Sequence, residues 1–375
     1  MELNSFLNHQ LAHRKLEGSF RELKFNKSLI DFSSNDYLGF ARNAVLKLSS
    51  DSILKEFGES SRINGATGSR LISGQYPLIE VVEKYIASFH NATSALLFNS
   101  GFDANLGFFS CVPQKGDTIL FDRLIHASVH DGIRLGKAQA MAFKHNDAKH
   151  LNELKEYVTG NVFVAVESIY SMDGDAASLE AIINVCKKNK WHLVVDEAHA
   201  LGVFGNKNEG LIDTNDLSES CFARIYTFGK ALGAHGAAIV GSKLLTDYLI
   251  NFSRPFIYTT ALPPAALAQI LASYQYLPLA TKESESLKKN IQLFQLLIGQ
   301  SKLSTTKSNS AIQCVLISGN ENVVNAAAQL QSKGFDVRAI RSPTVKKGSE
   351  RLRICLHSFN TEEEILQLFN YFKNI

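Results

Sequence analysis

A chain of 375 residues, 45% hydrophobic and 20% charged, has the make-up of a packed globular protein and the length of about two domains. Lys and Arg total 39 against 36 Asp and Glu, a formal charge of +3, which gives no electrostatic case for nucleic acid or an anionic membrane as the main partner. The five cysteines form no CxxC pair and are odd in number, so neither a disulfide framework nor a zinc knuckle is indicated.

The first residues, MELNSFLNHQLAHRKLEGSF, lack a basic start, an apolar core and a small-residue cleavage site, so they do not read as a secretory signal. No apolar run reaches the ~18 residues of a membrane span, and a soluble protein of the cytoplasm is the expectation. Leu3, Phe6, Leu7 and Leu11 recur at helical spacing and predict an amphipathic arm helix. From Ser94 onward, short apolar runs alternate with helical stretches: SALLFNS, DTILFD, VFVAVES, HLVVDEAH, ARIYTFGK and AAIVGS. Each is apolar on consecutive positions, the pattern of strands covered on both faces, which predicts an α/β fold with a mostly parallel sheet. Leu179–Lys190 predicts a helix with Ser178 at its N-cap. At Pro263–Pro264 the rhythm breaks, and a long helical region runs to about Gly299. A strand (AIQCVLIS), a helix from Glu321 to Gly334, two strands (DVRAIR, RLRICLHS) and a last helix follow. Thr361 and Glu364 open that helix at capping-box spacing. The expected division is an N-terminal arm (1–45), a large domain (46–265), and a linking helix with a smaller C-terminal α+β domain (266–375).

Polar clusters stand where the buried strands end, which is where ligands collect in open α/β sheets. They are Asp196 and His199 in VVDEAH, Thr227 and Lys230 in YTFGKALGAHG, Ser171 and Asp173 in VESIYSMDG, and Ser100, Gly101 and Phe102 in NSGF. Singly, each has an ordinary explanation: a strand ending in an acid, a solvated lysine, a satisfied core histidine. A metal at Asp196 and His199 lacks a further His or Cys at ligand spacing. GATGSR at Gly65–Arg70 matches neither GxGxxG nor the P-loop, and there is no GxSxG elbow. Pyridoxal 5′-phosphate (PLP) accounts for all four clusters together. It needs a lysine for a Schiff base, an acid beside the pyridine nitrogen, and backbone amides with hydroxyls for its phosphate. Lys230, Asp196, Gly101 with Phe102, and Thr227 supply these in turn.

The ordered set FSSNDYLG, GSRLISG, NSGF, RLIHAS, SMDGD, VVDEAH, TFGKALG, PTV and RLRI, spanning about Phe32 to Arg353, resembles the α-oxoamine synthases. These are fold-type I PLP enzymes that condense an amino acid with an acyl thioester and release carbon dioxide. The resemblance implies Lys230 as the Schiff-base lysine, Asp196 as the pyridinium partner, His199 on the ring hydroxyl with Ser171 close by, and His126 stacked on the ring. It implies Thr227, Gly101 and Phe102 on the phosphate, and Thr259 or Thr260 reaching the partner subunit's phosphate in a homodimer. Arg353 is expected to hold the amino-acid carboxylate, with Asn35 facing the substrate. Arg21, Arg341 and Thr344 are candidates for the far carboxylate of the acyl chain, planar forked guanidinia being suited to carboxylates. The substrate pair expected is L-alanine with a pimeloyl thioester; glycine or serine with other acyl thioesters are the alternatives. The sequence departs from the family pattern at Ala66, Thr67, Ala200, Leu201 and Lys346, near substrate surfaces rather than at the lysine or its acid.

Overall fold

The computed structural model describes residues 3–23, 28–57 and 64–372. Consecutive apolar residues produce strands whose two faces are both covered. In chain order these are β1 (Ser94–Phe98), β2 (Thr118–Asp122), β3 (Gln139–Phe143), β4 (Val162–Glu167), β5 (His192–Asp196), β6 (Ala223–Thr227) and β7 (Ala237–Gly241). They form one sheet in the order β1-β7-β6-β5-β4-β2-β3. β7 runs antiparallel to both its neighbours, β1 and β6, and the other pairings are parallel. Alternation along each strand sends neighbouring residues to opposite cores. Phe163, Ala165 and Val194 pack on one face with Phe108 and Val129, from the helices Gly101–Cys111 and Ala127–Leu135. Val164, Val166 and Val195 pack on the other with Ile182 and Ile183 of the helix Leu179–Asn189. Ser178 does occupy the N-cap position of that helix, yet its side chain makes no capping bond; its backbone N–H instead donates to Asn146 Oδ1 at 3.0 Å.

The chain divides into two compact units. One comprises residues 36–171 and 176–284 and carries the seven-stranded sheet. The other gathers the N-terminal segment to Asn35, Met172–Asp175 and the chain from Glu285. Its own antiparallel sheet is built from β8 (Ile312–Leu316), β9 (Arg338–Ile340) and β10 (Arg351–Cys355), in the order β9-β10-β8. Ile30–Asp31 pairs in parallel with Phe335–Asp336. The capping box forms as expected: Thr361 N–H donates to Glu364 Oε2 at 2.9 Å, and Glu364 N–H to Thr361 Oγ1 at 3.2 Å. The arm helix, Leu3–Leu16, has no buried residue. No described helix is long and apolar enough to cross a membrane.

Candidate functional site

The carboxyl ends of the central strands bring four ionisable groups together. Asp196 closes β5 and lies in strand register with Glu167, the last residue of β4, so two carboxyl groups stand side by side, 7% and 3% exposed. Asp196 is held at both oxygens: Ala198 N–H donates to Oδ1 and the Asn105 amide to Oδ2, each at 2.9 Å. Lys230 sits in the loop from β6 to β7, pinned by Phe228 N–H to Gly236 O, Ala234 N–H to Phe228 O and Gly233 N–H to Lys230 O, all at 2.9 Å. Gly233 has φ +58°, and a Cβ there would meet Ala41 N at 2.2 Å, so the loop closes only with glycine. His126 caps the helix Ala127–Leu135, its Nδ1 accepting from Ser128 N–H at 3.2 Å beside the Ser128 hydroxyl at 2.7 Å.

The charges of Asp196 and Lys230 act on both remaining members. Desolvation pushes the His126 pKa down; Asp196 opposes that shift and Lys230 adds to it. Glu167 is pushed up to about 8, by burial first and then by the negative charge of Asp196, with Lys230 pulling the other way. Ser171 N–H donates to Glu167 Oε2 at 3.0 Å, so the acid also shapes the turn that carries Ser171. His199, three residues beyond Asp196 and 5% exposed, has Nδ1 within 2.8 Å of the Tyr37 hydroxyl.

Beside this cluster the helix Gly101–Cys111 begins, with Ser100 as its N-cap accepting from Asp103 N–H at 3.1 Å. A Cβ on Gly101 would lie 2.3 Å from Thr227 Cγ2, so glycine lets the helix start against the end of β6. Thr227 Oγ1 is buried with no hydrogen-bond partner among the described residues. A buried polar group left so costs about 1–3 kcal/mol. A hydroxyl next to a helix N-terminus is suited to a phosphate oxygen that would satisfy it. Glu167 Oε1 and Asn105 Oδ1 are likewise buried without partners. The Asn99 side-chain amide donates to Thr259 Oγ1 at 2.9 Å and to Thr260 O at 2.8 Å, tying both threonines to the residue before Ser100. A helix start with an orphaned hydroxyl, a buried acid held at both oxygens, and an amine whose charge acts with that acid's on both His126 and Glu167 fit PLP.

The expected site residues thus fall in two sets. Lys230, Asp196, His199, His126, Ser171, Gly101, Phe102, Thr227, Thr259 and Thr260 belong to the unit with the seven-stranded sheet. Asn35, Arg353, Arg21, Arg341 and Thr344 belong to the other. There Arg353, 8% exposed on β10, donates from Nη2 to Asn35 Oδ1 at 3.0 Å and from Nη1 to Cys355 Sγ at 2.9 Å. Arg21 Nη2 lies 3.4 Å from Thr344 Oγ1 along an open groove of about 460 Å³, which Arg341 and Ile340 also line. The Arg341 guanidinium is engaged by the carbonyls of Gly18 at 2.6 Å and Phe20 at 3.1 Å, which fastens the N-terminal segment. Sequence reasoning missed Glu167, Asn105, Ser128 and Tyr37. The register of adjacent strand ends would have raised Glu167, and Asn105 lies one helical turn beyond Gly101.

The sequence matches the family described as aminotransferase class I and II over residues 27–372. An 8-amino-7-oxononanoate synthase of Emericella nidulans is 39% identical over 359 residues, 90% of this chain and 87% of that protein. Among solved structures, a serine palmitoyltransferase of S. paucimobilis with a bound PLP–myriocin aldimine is similar with TM-score 0.91 at 26% identity, covering 100% of this chain and 98% of that one. The 8-amino-7-oxononanoate synthase of Francisella tularensis is similar with TM-score 0.79 at 29% identity, covering 93% and 99%.

Proposed function

The chain belongs to the aminotransferase class I and II family and to the α-oxoamine synthases, and on that footing we propose that it joins L-alanine to a pimeloyl thioester, releasing carbon dioxide and the thiol, to give 8-amino-7-oxononanoate for biotin biosynthesis. It is a PLP-dependent acyltransferase. The observation that carries the choice of substrates is the 39% identity to an 8-amino-7-oxononanoate synthase over 90% of the chain.

Lys230 would hold the cofactor covalently, Asp196 would serve its ring nitrogen, and His199 with Ser171 its ring oxygen. Thr227 and the amides of Gly101 and Phe102 would hold its phosphate, and in a homodimer Thr259 or Thr260 would serve the phosphate of the partner subunit. When bound, the cofactor supplies an electron sink for negative charge developing at the substrate Cα. Asn105 and the Ala198 N–H hold both oxygens of Asp196, which fixes the orientation of that carboxyl group. The Lys230 amine, released when the substrate's own amine takes its place, would accept the Cα proton, as an amine acting on both Glu167 and His126 is placed to do. His126 has Nδ1 occupied by Ser128 N–H, so the neutral ring carries its proton on Nε2, ready to donate to the thioester carbonyl oxygen. Arg353 binds the amino-acid carboxylate with Asn35 beside it. Arg21 and Thr344 take the far carboxylate of the acyl chain, and Arg341 fixes the segment that carries Arg21.

An assay pairing alanine, glycine and serine with pimeloyl, acetyl, succinyl and palmitoyl thioesters tests this. Alanine with pimeloyl thioester is expected to give the fastest turnover. Strong glycine or serine turnover without alanine turnover would reassign the chain within the family.

A further inference from the structure

Tyr37 stands in the FSSNDYLG stretch, and none of the roles above uses it. Its side chain is 0% exposed, and its phenolic oxygen lies 2.8 Å from Nδ1 of His199. The two rings are tilted at 49° with centroids 6.2 Å apart, so they meet through the hydroxyl rather than face to face. Both ends of the contact are fixed by local structure. Gly39, at φ +73°, closes the turn around Tyr37 with its N–H on Asp36 O at 2.9 Å, and Asp36 Oδ1 accepts from Ala41 N–H at 3.1 Å. His199 lies in the turn after β5, where the N–H groups of Ala200 and Leu201 both reach Glu197 O at 3.0 Å.

A neutral imidazole accepts at one nitrogen and donates at the other, and the partner of one sets the role of the other. A phenol that donates to Nδ1 puts the ring proton on Nε2. Resting on the cofactor reading above, we propose that Tyr37 is a positioning residue: its hydroxyl donates to Nδ1 of His199 and locks that histidine as an Nε2–H donor toward the cofactor's ring oxygen. The reverse arrangement, Nδ1–H donating to the phenol, would turn a lone pair on Nε2 toward an oxygen that carries negative charge. Tyr37 therefore acts on the cofactor's electronics through His199, which outer partners of ligating histidines do in metal sites as well.

The test uses the full-length holoenzyme and Tyr37→Phe, which keeps the ring and removes the donor. Wild type must first show the visible absorption band of lysine-bound PLP; its absence would sink the cofactor reading and this inference together. With the band present, its pH midpoint in Tyr37→Phe is expected to rise by about one unit, the equivalent of one ordinary hydrogen bond. The direction follows because a ring oxygen without its donor holds more tightly the proton it shares with the lysine nitrogen. A lowered unfolding temperature with an unmoved midpoint means a purely structural contact and overturns the inference while leaving the cofactor reading intact. Nitrogen-15 NMR of wild-type histidines gives a second answer that does not depend on the variant folding. The Nε2–H tautomer for His199 supports the inference, and the Nδ1–H tautomer overturns it.

Discussion

Two buried polar clusters lie in the unit with the seven-stranded sheet, one closed and the other open. In the closed one, Asp213 accepts from Arg224 Nη1 at 2.5 Å and Tyr226 OH at 2.9 Å, and pairs with His90 Nδ1 at 2.8 Å. His90 Nε2 lies 3.1 Å from Tyr274 OH, Arg224 Nη2 donates to His90 O at 2.6 Å, and the His90 and Tyr226 rings stack at 3.7 Å. Among the described residues, no buried polar side-chain atom of these five is left without a hydrogen-bond partner. In the open cluster at the strand ends, Thr227 Oγ1, Glu167 Oε1 and Asn105 Oδ1 all lack one. Burial and perturbed pKa values occur in both, so neither alone marks a functional site. What separates them is incompleteness: a network that closes on itself holds the fold, and one with orphaned atoms is shaped for a group the chain does not supply.

The largest expected effects would break or sharpen that contrast directly. Lys230→Ala should abolish borohydride-reducible labelling by PLP and cut turnover by ~10²–10⁴-fold or more, with little change in unfolding temperature. Asp213→Ala should do the reverse. It leaves the buried Arg224 without its partner and should cost about 3–5 kcal/mol in denaturant unfolding, while the folded fraction still forms the covalent linkage. Retained labelling in Lys230→Ala, or a stable Asp213→Ala chain that cannot be labelled, would erase the distinction.

The two clusters should also answer pH in opposite directions. His90 is held at about 4 against an ordinary 6.5, burial being the first cause, so the folded chain takes up its proton later than the unfolded chain as pH falls. Its contribution is therefore complete above 6.5 and is lost toward about 4. Glu167 is raised from 4.5 to about 8, so its contribution is complete below 4.5 and is lost as pH rises toward about 8. Each slope is on the order of 1 kcal/mol per pH unit within its window. In the cofactor-free chain, Glu167→Gln should flatten the fall in stability between about pH 5 and 8 and leave the acid limb unchanged. A parallel loss on both limbs would show that Glu167 is not the group responsible.

Much of the fold was legible because it depends on local pattern. The six runs from SALLFNS to AAIVGS became strands, and the Thr361–Glu364 spacing became a capping box. β3, Gln139–Phe143, was missed because it is an edge strand whose residues are mostly half-buried or exposed, so QAMAF lacks the dense apolar signal of its neighbours. The reversed direction of β7 was equally hidden, since AAIVG reads the same in either sense. At the site, Lys230, Asp196 and His126 carry a motif, whereas Glu167, Asn105 and Tyr37 act through register, helical phase or long-range contact. Those depend on the assembled sheet, and no spacing along the chain encodes them.

Arg353 extends the test to the other unit, where its buried guanidinium donates to Asn35 and Cys355. Arg353→Lys keeps the charge and loses the planar fork, so KM for L-alanine should rise by ~10–100-fold, with kcat reduced less. Initial-rate kinetics at saturating thioester would show it, and an unchanged KM would remove Arg353 from the substrate.

The smallest effect tests the open cluster most finely. Asn105 gives one hydrogen bond to Asp196 and leaves its own Oδ1 unpartnered. Asn105→Ala therefore removes one donor from a carboxylate that keeps its bond from Ala198 N–H. If the open cluster exists to hold a cationic ring nitrogen, PLP affinity should weaken by about 5–10-fold, the worth of one such bond. Unfolding of the cofactor-free chain should barely change, because the deletion also takes away a buried orphan oxygen. In the closed cluster the same kind of deletion, Tyr274→Phe opposite His90 Nε2, should lower stability and leave PLP affinity alone. Absorbance titration with PLP beside denaturant unfolding reads both quantities on both variants. If the two variants gave the same pattern, orphaned atoms would not distinguish a site from a scaffold in this chain.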